Sequence, residues 1–202
     1  MEISFDKGMG YQILDSGDRT EFESGAVRDM RQGKGRMDLI PWDCSAMLEL
    51  FGDDPIMLYI IEFFRTNNTV NLVKAMTLFA SQHFGNMETA MLELAQHFEA
   101  GAVKYGERNW EKGIPTHCYI DSALRHYMKY RRGDIDERHD RAFVWNLICL
   151  VWTQEHLPKV NDLHAPVRLS MRLKRAFSRV VLWWHDMKLM IRSWLDYKRT
   201  KK

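Results

Sequence analysis

"NMETAMLELAQHFEAGAVKYGERNWEKG", residues 86–113, decides the fold. Its first half repeats apolar residues at helical intervals, with Met87, Met91, Leu94, Ala95, Phe98 and Ala102 on one stripe and Glu88, Gln96 and Glu99 near its margin. Asn86 is a good N-cap and Gly106 offers a left-handed exit, so the helix should stop close to Tyr105. Beyond that exit, "ERNWEKGIPTHCY" reads as a loop closed by Gly113 and Pro115. A near echo, "ESGAVRDMRQGKGR", occupies residues 23–36, so the chain twice follows Glu-x-Gly-Ala-Val with a cation and a glycine-punctuated polar loop.

Outward from this stretch the same periodicity recurs over residues 46–51, 55–64, 70–84, 120–130, 142–152 and 169–195, and strand alternation is scarce. Residues 1–43, rich in Gly, Asp, Arg and Ser, read as loop with a short helical turn before "GKGRMDLIP". The expected fold is an all-α helical bundle. It comprises a loop-rich segment over 1–43, a helical core over 44–164 and a long basic amphipathic helix over 165–202.

The chain has 202 residues, 46% hydrophobic and 28% charged, enough for one sizeable core. Three cysteines are too few and too separated for a disulfide framework or a cysteine-based zinc site. The start lacks the basic and apolar blocks of a signal peptide, and the run over 55–64 is interrupted by Glu62 and too short to span a bilayer. A soluble protein of a reducing cytoplasm is expected. The net charge of +2 hides an asymmetry: residues 165–202 carry eleven Lys or Arg against two Asp, and the remainder eighteen against twenty-five acidic side chains.

Polar residues gather at the boundaries of three apolar helices. Gln96 and Glu99 lie one turn apart on one helix and His126 lies on the next. Asp136, Glu137, His139 and Asp140 cluster at the start of a third, where Asp136 with His139 and Glu137 with Asp140 form i, i+3 pairs. Oxygen ligands from facing helices are how bundles hold hard divalent cations. Each group also has a plainer reading: an acidic first turn stabilises a helix N-terminus, His126 bonds between helices, and Trp110 and Trp145 anchor packing. Asn146, in an apolar stretch, needs partners if buried. Lys34 and Arg36 in "GKGR", with Lys104, Arg108 and Lys112 beside Asn109 and Trp110, present cations suited to polyphosphate, without the spacing of a Walker A loop.

Three blocks, "FESGAVRDMRQGKGRMDLIP", "GAVKYGERNWEKG" and "ALRHYMKYRRGDIDERHDRAFVWNL", resemble the dATP/dGTP diphosphohydrolase (pyrophosphohydrolase) N-terminal domain family of phages and bacteria. That family is similar in outline to the all-α MazG-like nucleotide pyrophosphohydrolases. The resemblance implies a magnesium-dependent enzyme (Mn²⁺ as a substitute) that splits a deoxypurine nucleoside triphosphate into monophosphate and pyrophosphate. It assigns Glu99, Glu137 and His126 to catalysis and Glu99, Asp136, Glu137 and His139 to the metal. Lys34, Arg36, Lys104, Tyr105, Arg108, Asn109, Trp110 and Asn146 would face the nucleotide. The MazG-like signature, Glu-x-x-Glu then Glu-x-x-Asp, is kept in its second half as Glu137-Arg-His-Asp140, but its first half reads Gln96-His-Phe-Glu99.

Two other readings stand beside this one: an HD-type phosphohydrolase, prompted by His126 and His139-Asp140, and a nucleotide-binding protein without catalysis. The stripe over 169–195 suits docking on the bundle or on a second copy in a homo-oligomer, an anionic membrane, a partner protein or, less readily, nucleic acid.

Overall fold

The computed structural model describes residues 17–163 and, in the C-terminal segment, residues 183, 184, 187, 188, 190, 191 and 198. Among them are six α-helices and one small antiparallel hairpin, so the fold is all-α as expected: β1 (Arg19–Glu21), β2 (Val27–Asp29), α1 (Ser45–Leu50), α2 (Pro55–Thr66), α3 (Thr69–His83), α4 (Met87–Tyr105), α5 (Thr116–Arg132) and α6 (His139–His156). Single 3-10 turns cover Met37–Leu39, Asn109–Lys112 and Pro158–Val160. The seven described residues of the tail are helical, and Trp183 and Trp184 are exposed; the rest of the expected basic helix lies outside the described residues.

Local signals explain the helix ends. Asp54 accepts from the backbone N–H of Ile56 and Met57, both at 3.1 Å, ahead of Pro55 at the first position of α2. Asn86 accepts from Thr89 N at 2.7 Å to start α4, and Gly106 (φ 89°) ends it. Helix α6 starts later than the acidic run suggests: His139 is its first residue, so Asp136 and Glu137 lie in the preceding turn. This corrects the expected i, i+3 pairing of Glu137 with Asp140. The hairpin is the element the sequence does not announce, since three-residue strands are too short to show a period of two.

Backbone contacts divide the chain into two compact units, one of residues up to Ile40 with 76–163 and another that includes 41–75. In the second, Trp42 is buried with its ring 5.9 Å from Phe51 and 6.3 Å from Phe64, and α2 buries nearly every side chain. In the first, the dominant helix pair is α5 with α6, whose apolar faces bury Ile120, Leu124, Leu147 and Leu150. Phe79, Tyr127 and Phe143 form an edge-on and tilted aromatic cluster at its centre, with centroids 4.9–6.1 Å apart. The buried stripe of α4 is rotated from the expected one. Ala90 and Leu94 are inside, whereas Met87 and Met91 are exposed.

The start of α5 is tied to the far end of the described core. Asp162 Oδ1 accepts from His117 N at 2.9 Å and lies 3.0 Å from Thr116 Oγ1, acting as an N-cap supplied from forty-five residues away, and its other oxygen pairs with the His117 ring. The hydrogen bond to Asp162, ahead of one to Cys118, raises His117 to about 9; burial opposes the ionised Asp162, but the bonds from His117 outweigh it and hold that carboxyl at about 2. A raised imidazole stabilises fully below its unfolded value of about 6.5, and a lowered carboxylate above about 3.9. The clamp should therefore be strongest between about pH 4 and 6.5 and weaken as pH rises through about 9 or falls through about 2. Asp162→Ala should cost about 1 kcal/mol in urea unfolding, the worth of a lost N-cap, and flatten the decline in melting temperature expected of the parent protein between pH 6.5 and 9.

Candidate functional site

A cavity of about 610 Å³ opens in the first unit, walled by β2, the loop after it, α4, the 3-10 turn after α4, α5 and the start of α6. That size suits a small-molecule ligand. The wall is assembled around the hairpin. Asn109, 6% exposed, receives the backbone N–H of Val27 on its Oδ1 (2.9 Å) and donates from Nδ2 to Val27 O (2.8 Å), so its carboxamide pairs with β2 as a neighbouring strand would. Ser24 Oγ donates to Gly113 O at 2.7 Å, and Lys104 Nζ donates to Asp29 Oδ2 at 2.6 Å. The two echoing segments thus hold one another.

Held this way, β2 directs Arg28 inward. Its Nη2 donates to Asn146 Oδ1 at 2.6 Å, while its guanidinium carbon lies 5.1 Å from the Tyr119 ring centroid and 5.9 Å from that of Trp145. Asn146 donates onward to Ala142 O at 2.7 Å, which supplies the partners its burial demands. Arg28 Nη1 and Trp145 Nε1 are buried without a protein acceptor. His97, on the same wall, is held neutral: burial first, then the positive charge of Arg141, lowers it to about 4.

The acid–base groups sit where α5 meets the turn before α6. His126 Nδ1 lies 3.0 Å from His139 Nδ1 and 3.5 Å from Glu137 Oε1, and His139 Nδ1 lies 3.6 Å from the same oxygen. Asp136 bonds His139 Nε2 at 2.7 Å and accepts from Lys129 Nζ at 2.7 Å. Burial opposes the charge on Asp136, but those two bonds prevail and hold it at about 2. Burial raises Glu137 and, with the neighbouring His139, pushes His126 well below its ordinary value. His126, Glu137 and His139 are close enough to share a metal ion, as are Asp134, Asp136 and His139, although Asp134 and Asp136 are already paired with Arg132 and Lys129. Magnesium takes oxygen ligands and keeps waters, so two imidazole nitrogens and one carboxylate oxygen do not fit it.

Of the residues expected to meet nucleotide, Lys34, Tyr105, Arg108, Asn109, Trp110 and Asn146 line the cavity. Lys34 sits between Gly33 and Gly35, both at positive φ (76° and 79°), and is exposed. Glu99, Arg36 and Lys104 lie off the cavity wall. Glu99 is exposed and absent from the cavity wall: the lining residues of α4, His97, Phe98, Gly101, Ala102 and Tyr105, define a face from which Glu99 is rotated by about 130°. Gln96 is exposed as well. Arg36 turns to Asp38 at 2.6 Å and lies off the wall, as does Lys104, whose side chain, only 7% exposed, pairs with the lining residue Asp29. Asp140 does not join His126 and His139 as an HD pair would require; it takes Arg138 and, at 2.8 Å, His83, and it is held at about 2, burial opposing and Arg138 prevailing.

Arg28, His97, Ser122, Arg125 and Lys129 also line the cavity, beyond the residues that the sequence motifs mark. Arg28 is legible all the same, being the cation of the first echo just as Lys104 is that of the second. Nothing in the spacing marks the others. Asn109→Ala frees both backbone groups of Val27, and should cost about 2 kcal/mol for two lost bonds and speed amide exchange at Val27 and Asp29; unchanged exchange there would show that the carboxamide does not hold the hairpin.

Residues 70–163 match the family described as dATP/dGTP diphosphohydrolase, N-terminal. The match contains the second and third of the resembling blocks and every cavity residue of α4, α5 and α6. No curated protein and no solved structure matches the chain.

Proposed function

Because residues 70–163 match the dATP/dGTP diphosphohydrolase N-terminal family, we propose that the chain hydrolyses a purine deoxynucleoside triphosphate between its α and β phosphates. The observation that carries this reading is the composition of the cavity: aromatic walls, a cationic rim, and a histidine–glutamate cluster at one side. Trp110, Tyr105 and Trp145 offer flat apolar surface for a base. Lys34 and Arg108 at the exposed rim, with Arg125 and Lys129 on α5, supply positive charge for the phosphates.

In the reaction a water oxygen forms a bond to the α phosphorus as the bond from that phosphorus to the bridging oxygen breaks. Monophosphate and pyrophosphate are the products. The water proton needs an acceptor, and Glu137 is the carboxylate of the cluster that faces the cavity. The cations of α5 offset the charge that builds on the departing pyrophosphate. Magnesium belongs with the triphosphate oxygens as part of the substrate. No described helix is long and apolar enough to cross a membrane, and a nucleotide substrate sets the work in the cytoplasm.

A panel of deoxynucleoside triphosphates incubated with the protein and resolved by HPLC tests this. Purine monophosphate and pyrophosphate are expected; inorganic phosphate or tripolyphosphate would support the HD-type chemistry instead. Glu137→Gln should lower turnover by about 100-fold or more with the far-UV spectrum retained, and turnover at the parent rate would remove Glu137 from the reaction.

A further inference from the structure

We propose that His126, Glu137 and His139 form a resident site for a nitrogen-seeking divalent ion of the first transition row, such as Mn²⁺, Co²⁺ or Zn²⁺, distinct from the magnesium that accompanies the nucleotide. Such a site rests on, and deepens, the reading of the same cavity as hydrolytic. Its first support is metric. The three ligand atoms are separated by 3.0, 3.5 and 3.6 Å. A triangle with those sides has a circumscribed radius of about 2.0 Å, the bond length of such an ion to imidazole nitrogen and carboxylate oxygen. One point can therefore reach all three without moving a side chain.

The second support is the tautomer. One oxygen of Asp136 lies 2.7 Å from His139 Nε2 and its other oxygen accepts from Lys129, so His139 carries its proton on Nε2 and turns a bare Nδ1 toward His126 and Glu137. A carboxylate behind the distal nitrogen of a histidine is the usual way a metal ligand is oriented. Lys129 restrains Asp136 from its other oxygen, so the chain Lys129, Asp136, His139 fixes the ring before any ion arrives. Without an ion, the 3.0 Å contact between the two Nδ1 atoms requires His126 to donate to His139. With one, the His126 proton moves to Nε2, and two lone pairs and a carboxylate oxygen converge with no net proton released.

The donor set then selects the ion. Two nitrogens and one oxygen suit manganese through zinc and disfavour magnesium. Access is provided, since His126 and Glu137 line the cavity while His139 is almost wholly buried behind them. A ligand oxygen in the cavity can approach the ion from that side.

The test uses the untagged full chain stripped with a chelator. One equivalent of Co²⁺ should bind with visible ligand-field absorption, yield to Zn²⁺, and persist in a large excess of Mg²⁺. Cu²⁺ bound to the same protein should show coupling to two imidazole nitrogens in its electron paramagnetic spectrum, a readout that needs no variant. His139→Ala and His126→Gln should each lose that equivalent. Asp136→Asn should bind about 10- to 100-fold more weakly while keeping the two-nitrogen signature, as befits a positioning residue. Absence of Co²⁺ and Zn²⁺ uptake, equal displacement by Mg²⁺, or unchanged binding in both histidine variants would overturn the site. Pyrophosphate release with Mg²⁺ alone and no uptake of the other ions would overturn the site yet keep the hydrolase. Uptake without turnover of any nucleotide would keep the site and remove the hydrolase.

Discussion

The carboxamide of Asn109 carries the arrangement. A two-stranded hairpin of three-residue strands has little stability of its own in water, yet here it forms a cavity wall. By meeting both backbone groups of Val27, Asn109 extends the ladder by one position with a side chain, and Ser24 and Asp29 fasten the hairpin on either side. Asn109 can do this because Gly106 breaks α4 and Arg108 adopts a left-handed φ of 54°, turning the following 3-10 turn back toward β2. Every side chain that β2 sends inward inherits its position from that pairing.

The resulting cavity keeps its charged groups apart. In the wall, Arg28 lies over the rings of Tyr119 and Trp145 and is answered by a neutral carboxamide, so its positive charge is offset by aromatic faces instead of a carboxylate. Burying a cation in this way is costly unless something else shares the burden, and an anionic ligand is the natural complement. At the rim, Lys34 and Arg108 are exposed to solvent, Arg108 in an ion pair with Glu111. Beside Glu137, burial disfavours the charged form of His126. Arg138 and Arg141, which lie close by, are claimed by Glu93 and Asp140 and so are kept from that cluster.

Much of the fold is readable in the sequence. The caps Asp54 and Asn86, the exit at Gly106 and the apolar periodicities place each helix to within a few residues, because these signals are local. The turn before α6 is only half legible: acidic residues favour a helix start, but which of them lies inside the helix depends on the bond His139 makes across to Asp136 and His126. Glu99 shows the limit more sharply. Its place in a family signature and its position near the apolar stripe both point inward, but α4 buries Ala90 and Leu94 and turns His97 and Gly101 to the cavity, a face rotated from that stripe, and the carboxylate is carried outside. A rotation of one helix about its axis is a tertiary outcome that no single segment encodes. Arg28, to which the sequence motifs assign no role, takes the inward place expected of Lys104 for a similar reason, since the partner of each is more than seventy residues away.

The most direct measurement is a crystal structure of the full chain with a purine deoxynucleoside triphosphate analogue whose α–β bridging oxygen is replaced by carbon. Hydrolysis in this cavity requires the base against Trp110, Tyr105 or Trp145 and the α phosphate beside His126 and Glu137, with β2 still paired to Asn109. An analogue bound elsewhere on the chain, or one whose phosphates lie far from that cluster, would contradict it.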